Sequence, residues 1–330
     1  MNLSELNIIN TISQTANYKE FDGLGIGDDC AVLPLEGDRY KVVTTDTLTE
    51  DSHFIFDSIK AEDLAYKSLA SNISDILAMG AKPLYAFLAI SYSSKVDRQW
   101  IERFSSSLIS LANECGVMLL GGDTTFSPHA LTITITLIGE VKKDNLKLRS
   151  GAKVGDKIFC CNALGGSSLG LRYILNKKSE SFVSLTEKQA KKAIEAHYRP
   201  KLFLKEAIWL GKQSAITAMM DISDGIAKDL THILDKSGVS ASINIDSIPI
   251  FEGATVEDAV SGGEEYSLLF TVDSNDSERV KSQYNELFDG EIYEIGTITS
   301  SATDSKNRID WVENGQKIDY HFKGYEHGNR

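Results

Sequence analysis

The chain of 330 residues is 42% hydrophobic and 25% charged, the composition of a soluble globular protein, and its length favours two domains over one. A net charge of −13 and a pI near 5.0 argue against a nucleic-acid binder, yet leave open phosphate substrates that arrive with magnesium. Cys30, Cys115, Cys160 and Cys161 form no CxxC pair, the start lacks a basic segment followed by an apolar one, and no stretch approaches the roughly 18 apolar residues of a membrane span, so the expectation is a reduced, cytoplasmic protein with no disulfide framework and no membrane or nucleic-acid partner.

In chain order, "YKVVTTDTL" predicts a strand that gives way to a loop at Asp46. "AEDLAYKSLASNISDILAMG" predicts a helix with Leu69, Ile73, Ile76 and Leu77 on its apolar face and Gly80 ending it. "PLYAFLAISY" is a second strand, Asp97 to Cys115 a second amphipathic helix, and "GVMLLGGDTT" a third strand closing in glycines. "ALTITITLIGEV" alternates strictly, the pattern of a strand with one buried face. The polar run "KKDNLKLRSGAKVGD" marks the boundary, giving domains 1–148 and 149–330. The second domain opens on "DKIFCCNALGGSSLGLRYIL", read as strand, glycine loop and helix. "SAITAMMDISDGIAKDLTHILDKSG" repeats that logic, and "GGEEYSLLFTV" is a loop entering a strand. No tandem repeat or low-complexity segment interrupts this α/β (α+β) order.

One device recurs: an acid beside an apolar run, as in Asp28 and Asp29 of "GIGDDCAVL", Asp46, Asp123 after "LLGG", and Asp221 and Asp224 of "MMDISDG". At about 100° per residue, Asp75 shares a small polar helix face with Ser68, Ser71 and Asn72. Capping or turn duty explains any one of these acids. Several of them converging in the crevice beyond the strand ends would need counter-charge, which hard divalent cations supply through oxygen ligands, with Thr44 and Thr45 as helpers. The pattern points to several magnesium ions and a polyphosphate. No P-loop and no protein-kinase signature set accompanies it. "GGSSLG" (Gly165–Gly170) reads equally as a phosphate loop or a tight helix–strand turn.

The ordered segments "GIGDDCAVL", "TTDTL", "HF", "DLAYKSLASNISDILAMGAKP", "LLGGDTT", "RSGAKVGD", "DISDG", "SGGEEYSLLF" and "FKGYEHG" resemble those of thiamine-monophosphate kinases over nearly the whole chain. That family stands beside aminoimidazole ribonucleotide synthetase, selenophosphate synthetase and hydrogenase maturation factor E, which use ATP without a Walker motif. The resemblance implies the two-domain aminoimidazole ribonucleotide synthetase-like fold and a homodimer whose N-terminal sheets pair into a barrel. It implies direct magnesium-assisted transfer from ATP to thiamine monophosphate, with no catalytic side chain and no phosphoenzyme. The implied magnesium ligands are Asp29, Asp46, Asp75, Asp123, Asp221 and Asp224 with Thr44 and Thr45, leaving Asp28 structural. Gly122, Asp123, Arg149 and Ser223 would contact the nucleotide, and His53, Glu264 and Phe322 the thiamine phosphate. Two departures stand out: Glu264-Glu265 where Glu-Asp is common, and Phe322 in place of a frequent tryptophan.

Bland readings accompany these assignments: a packed His53, a linker Arg149, and solvated turns at Glu264 and Glu265. Alternative functions are another ATP-dependent synthetase of the same superfamily (selenophosphate, for which Cys30 would have to be reactive, or purine-pathway, with a different acid-glycine signature) or a non-catalytic nucleotide-binding regulator.

Overall fold

The computed structural model describes residues 5–16, 21–176, 185–301, 308–320 and 322–325. After helix α1 (Glu5–Thr15), the first unit builds on β1 (Ala31–Pro34), β2 (Arg39–Thr49), α2 (Ala61–Ala78), β3 (Lys82–Tyr92), α3 (Arg98–Cys115), β4 (Met118–Phe126) and β5 (Thr132–Lys142). Its sheet runs β1-β2-β5-β3-β4, antiparallel except where β3 meets β4. The alternation in β5 is as read from the sequence: Ile133, Ile135, Leu137 and Val141 are buried, while the threonines between them face the other way.

The second unit comprises β6 (Lys157–Cys161), α4 (Gly166–Asn176), α5 (Glu187–Tyr198), α6 (Leu204–Gly211), β7 (Ile216–Ile222), α7 (Ile226–Ser237), β8 (Ser240–Asn244), α8 (Val256–Ser261), β9 (Ser267–Val272), α9 (Ser277–Leu287), β10 (Ile292–Thr299), β11 (Ile309–Glu313) and β12 (Gln316–Ile318). Its sheet runs β12-β11-β8-β10-β6-β9-β7. Period-2 alternation splits it between two cores. Phe159, Cys161 and Phe270 face a core shared with the first unit, and Ile158, Cys160 and Leu269 face a second core under α7 and α8.

Helix α2 joins the units. It lies on β2 and β5 with one side and reaches β7 with another, so Lys67, Ser68, Ser71, Asn72 and Ser74 are buried along with its leucines and isoleucines. A helix covered all round normally reads as apolar; here the polar stripe is buried because it meets polar partners. The helix stops as its sequence demands. Gly80, at φ 67°, donates its N–H to the carbonyl of Leu77, and Ala81 donates to Ile76, which together satisfy the last carbonyls.

Two strand boundaries differ from expectation. Asp46 and Asp123 lie inside β2 and β4 rather than at their ends, because the β-branched threonines beside them keep the chain extended. All of β4 is exposed, with Met118 at 56% and Phe126 at 59% of full accessibility. Helix α1, together with α5 and α6, had no counterpart in the sequence reading.

Gly80 and Gly116 end helices α2 and α3 in the same left-handed conformation, at φ 67° and 70°. A Cβ on Gly80 would lie 2.8 Å from the Asn145 carbonyl oxygen, whereas one on Gly116 would meet nothing within 4 Å. Both alanine variants carry the conformational cost of about 1–2 kcal/mol. Gly80→Ala adds an overpacking cost of roughly 1–3 kcal/mol. Thermal or urea unfolding should therefore rank Gly80→Ala clearly below Gly116→Ala; equal losses would show that the α2 terminus is not held against the 145 loop.

Candidate functional site

A cavity of about 760 Å³ opens between the two units, a size suited to a small-molecule ligand. Asp46 and Asp75 form part of its wall, from β2 and α2. Behind them, oxygens of Asp29, Asp75 and Asp221 lie within 4.8 Å of one another, drawn from the segment before β1, from α2 and from β7. Thr44 donates to Asp75 at 2.5 Å and Ser74 to Asp221 at 2.6 Å. The backbone N–H of Asp46 donates to Asn72 at 3.2 Å. The polar stripe of α2 thus holds acids from both sheets.

These acids are strained electrostatically. Burial, then the charges of Asp46, Asp221 and Asp29, pushes the Asp75 carboxyl well above the ordinary range. Burial and Asp29 lift Asp221 to about 7, and burial raises Asp46 against a hydrogen bond from Ser71. Arg149 supplies counter-charge at 2.7 Å from Asp29. Burial opposes the guanidinium charge, but Asp29, Asp28 and Asp221 outweigh it and hold the group protonated. One arginine does not neutralise the set. Asp29 Oδ2 is buried without a hydrogen-bond partner, beside hard oxygen donors. An orphaned carboxylate oxygen in such a cluster fits a divalent cation, so the residues present suit magnesium.

Asp28 stands apart. It accepts the Arg149 backbone N–H at 3.1 Å and so ties the "GIGDD" turn to the interdomain segment; burial and Asp29 lift it to about 6. Asp224 lines the cavity and pairs with Lys228 at 2.6 Å. Ser223 also lines it, and the N–H groups of Ser223 and Asp224 both donate to buried Asp229 at 3.0 Å. Asp229, missed in the sequence, fixes the "DISDG" turn from the first turn of α7.

Other expected residues are not gathered here. Thr45 bonds Ile135 O and Thr136 Oγ1 on the exposed face of the sheet, away from Asp75. Asp123 shares the row Thr47–Thr134–Ala89–Asp123, opposite to the face that carries Asp46, and Gly122 is its neighbour on bare β4. Phe322 is also elsewhere: it packs on Trp311 and Tyr320 against the second core, while Tyr325 lines the cavity. Tyr325 is pinned there by its N–H to Asp224 O at 2.9 Å and by Lys228 donating to its carbonyl at 3.0 Å.

His53 and Glu264 both line the cavity. His53 Nδ1 accepts the Thr49 N–H at 3.0 Å, which places the proton of the neutral ring on Nε2. Glu264, at φ 62°, donates its N–H to Ser223 O and pairs with Lys67 at 2.8 Å. Glu265 is a buried acceptor rather than a solvated turn residue. It takes the N–H groups of Gly165 and Ser167 at 3.0 and 2.9 Å, occupying the N-terminus of α4. The "GGSSLG" loop is therefore a packing turn whose anion site is filled from within the chain. Gly170 confirms the tightness, since a Cβ there would lie 2.2 Å from Ala193 O.

Residues 27–141 match the family model of the AIR synthase related protein N-terminal domain, and residues 153–305 that of its C-terminal domain. The thiamine-monophosphate kinase of Salmonella typhimurium is 35% identical, covering 92% of this chain and 91% of its own. That of Escherichia coli K12 is 34% identical over 92% and 91%. The solved structure of AaThiL complexed with AMPPCP and TMP aligns with a TM-score of 0.82 at 28% identity, over 99% of each chain. A HypE-HypF complex, at 17% identity and a TM-score of 0.71 over 94% of this chain and 98% of its own, shares the fold. On this likeness, which runs through both domains, the chain belongs to the thiamine-monophosphate kinase family.

Proposed function

We propose that this chain phosphorylates thiamine monophosphate to thiamine diphosphate at the expense of ATP. The observation that carries this reading is the under-neutralised carboxylate cluster that reaches the wall of a substrate-sized cavity through Asp75, in a chain akin over its full length to AaThiL complexed with AMPPCP and TMP. Asp29, Asp46, Asp75, Asp221 and Asp224, with the Thr44 hydroxyl, would hold magnesium. Bound there, magnesium neutralises the phosphates of both substrates and favours in-line transfer. An oxygen of the acceptor phosphate forms the new bond to the γ-phosphorus as the bond to the ADP oxygen breaks, and ADP leaves with that electron pair. The acceptor is already ionised at neutral pH, so no side chain need remove a proton. Arg149 and Ser223 would meet the nucleotide, and His53, Glu264 and Tyr325 the vitamin portion. A selenium-transferring reading requires a reactive thiol, whereas Cys30 is buried and burial with Asp75 pushes its thiol well up.

We further infer a homodimer. The outer edge of β4, bare and apolar, has no neighbouring strand among the described residues and is of the kind that a second copy covers, and in that assembly Gly122 and Asp123 would reach the nucleotide. A cytoplasmic setting, where ATP is plentiful, is supported by the free thiols of all four cysteines. No helix among the described residues is long and apolar enough to cross a membrane.

ADP release should require thiamine monophosphate and magnesium, with unphosphorylated thiamine inactive; turnover with selenide or a purine precursor alone would overturn the reading. Asp221→Asn should lower kcat/KM at least about 10²-fold. The same variant has a stability signature. Asp221 and Asp28 rise from 3.8 to about 7 and about 6, so the metal-free folded protein holds protons that the unfolded chain releases. Stability therefore falls as pH rises from about 4 to about 7. Asp221→Asn should flatten that fall, by about 1.4 kcal/mol for each pKa unit removed. Unfolding of the metal-free proteins across this window checks it, and identical slopes would deny the electrostatic strain.

The aromatic placement separates two residues. Tyr325→Ala should raise the KM for thiamine monophosphate by roughly two- to tenfold, the worth of an aromatic contact. Phe322→Ala should lower the melting temperature and leave both KM values unchanged. A KM effect confined to Phe322→Ala would restore Phe322 to the site.

A further inference from the structure

Lys67 is a lysine with no exposed side-chain surface, in the middle of α2. Its ammonium donates to Glu264 Oε2 at 2.8 Å, to His197 Nε2 at 3.3 Å and to the backbone carbonyl of His53 at 3.4 Å. An ammonium has three donors, and these partners take them all. Two belong to the residues assigned above to the vitamin portion, and the third, His197, also lines the cavity. An ammonium cannot accept, so His197 carries its ring proton on Nδ1, which lies 3.1 Å from Ser167 Oγ and 3.5 Å from Glu264 Oε2. The ring stays neutral: burial, then Lys67, lowers it to about 4. Burial works against the Glu264 charge, but Lys67 prevails and holds the carboxyl below its ordinary range. Helices α2, α4 and α5 are thus tied to one carboxylate at the cavity wall.

We propose that Lys67 is a positioning residue of the acceptor-substrate subsite: by holding Glu264 Oε2 and the His53 carbonyl together, it presents Glu264 Oε1 to an N–H donor of the substrate. Among the described residues, the hydrogen bond that Glu264 accepts falls on Oε2, which leaves Oε1 for the cavity. The chemistry that matches a fixed carboxylate oxygen is an amino group on a flat heteroaromatic ring, such as the aminopyrimidine of thiamine. With Lys67 already countering the charge of Glu264, this oxygen selects by hydrogen-bond direction more than by attraction for a cation. The left-handed backbone at Glu264 and at Tyr266 (φ 49°) brings the carboxylate to this point, and Lys67 is the contact that would maintain it.

This proposal rests on the thiamine-monophosphate kinase reading, and its test begins with the unaltered protein. Failure of that protein to turn over thiamine monophosphate sinks the reading itself. Given turnover, Lys67→Met should raise the KM for thiamine monophosphate at least tenfold and leave the KM for ATP within twofold. Glu264→Gln should do the same. The decisive comparison is the Lys67→Met, Glu264→Gln double variant against Glu264→Gln alone. It removes both charges together and so keeps a folded reference even where Lys67→Met leaves Glu264 without its cation. A residue acting through Glu264 adds less than twofold to the KM for thiamine monophosphate in that background. A further tenfold rise there, or equal rises in both KM values for Lys67→Met, would make Lys67 a structural residue and overturn the proposal.

Discussion

Like charges brought together out of water are the constraint from which the architecture follows. Asp29, Asp75 and Asp221 come from three remote segments, and Asp46 stands beside them. Their mutual repulsion and burial oppose folding, and Arg149 offsets only part of it. The surrounding structure must overdetermine their positions. Helix α2 does so, clamped between sheets by a core that runs through both units, with Ser71, Asn72 and Ser74 turned to the acids instead of to solvent. A fold that merely sought stability would place apolar residues there. Retaining the carboxylates makes sense if a cation is the missing partner.

A second polar system starts about two turns of α2 before Asp75, at Lys67, and follows the opposite rule. Lys67, Glu264, His197 and Ser167 satisfy one another, so this system is electrostatically quiet and geometrically rigid. The division suits two substrates that share phosphate chemistry but differ in what must be recognised. Charge has to be neutralised where phosphates meet, and shape has to be read where a heteroaromatic ring sits. Glu265 adds a third device by capping α4 from within, which removes that helix N-terminus as a phosphate site.

Much of this was legible in the sequence because it is local or periodic. The alternation of β5, the glycine end of α2 and the polar face shared by Ser71, Asn72 and Asp75 follow from residue spacing alone. Convergence of the acids was legible as a recurring motif. What escaped depends on tertiary register. Asp123 has the same local motif as Asp46, yet strand pairing sets the two on opposite faces of the sheet. Lys67 in a helix reads as a surface residue until the second domain covers it. Phe322 and Tyr325 are three residues apart on a coil whose path is fixed by Asp224 and Lys228, a contact that no periodicity announces.

The central claim, that the buried acids form a metal site serving phosphoryl transfer, can be seen directly. Crystals grown with manganese and a non-hydrolysable ATP analogue should give anomalous scattering peaks bonded to oxygens of Asp29, Asp75 and Asp221, with the analogue's phosphates sharing those ions. The account expects at least one such peak inside the cluster. A well-ordered analogue with no peak there, and the carboxylates still in mutual contact, would mean that protons rather than metal ions relieve their repulsion, and would contradict it.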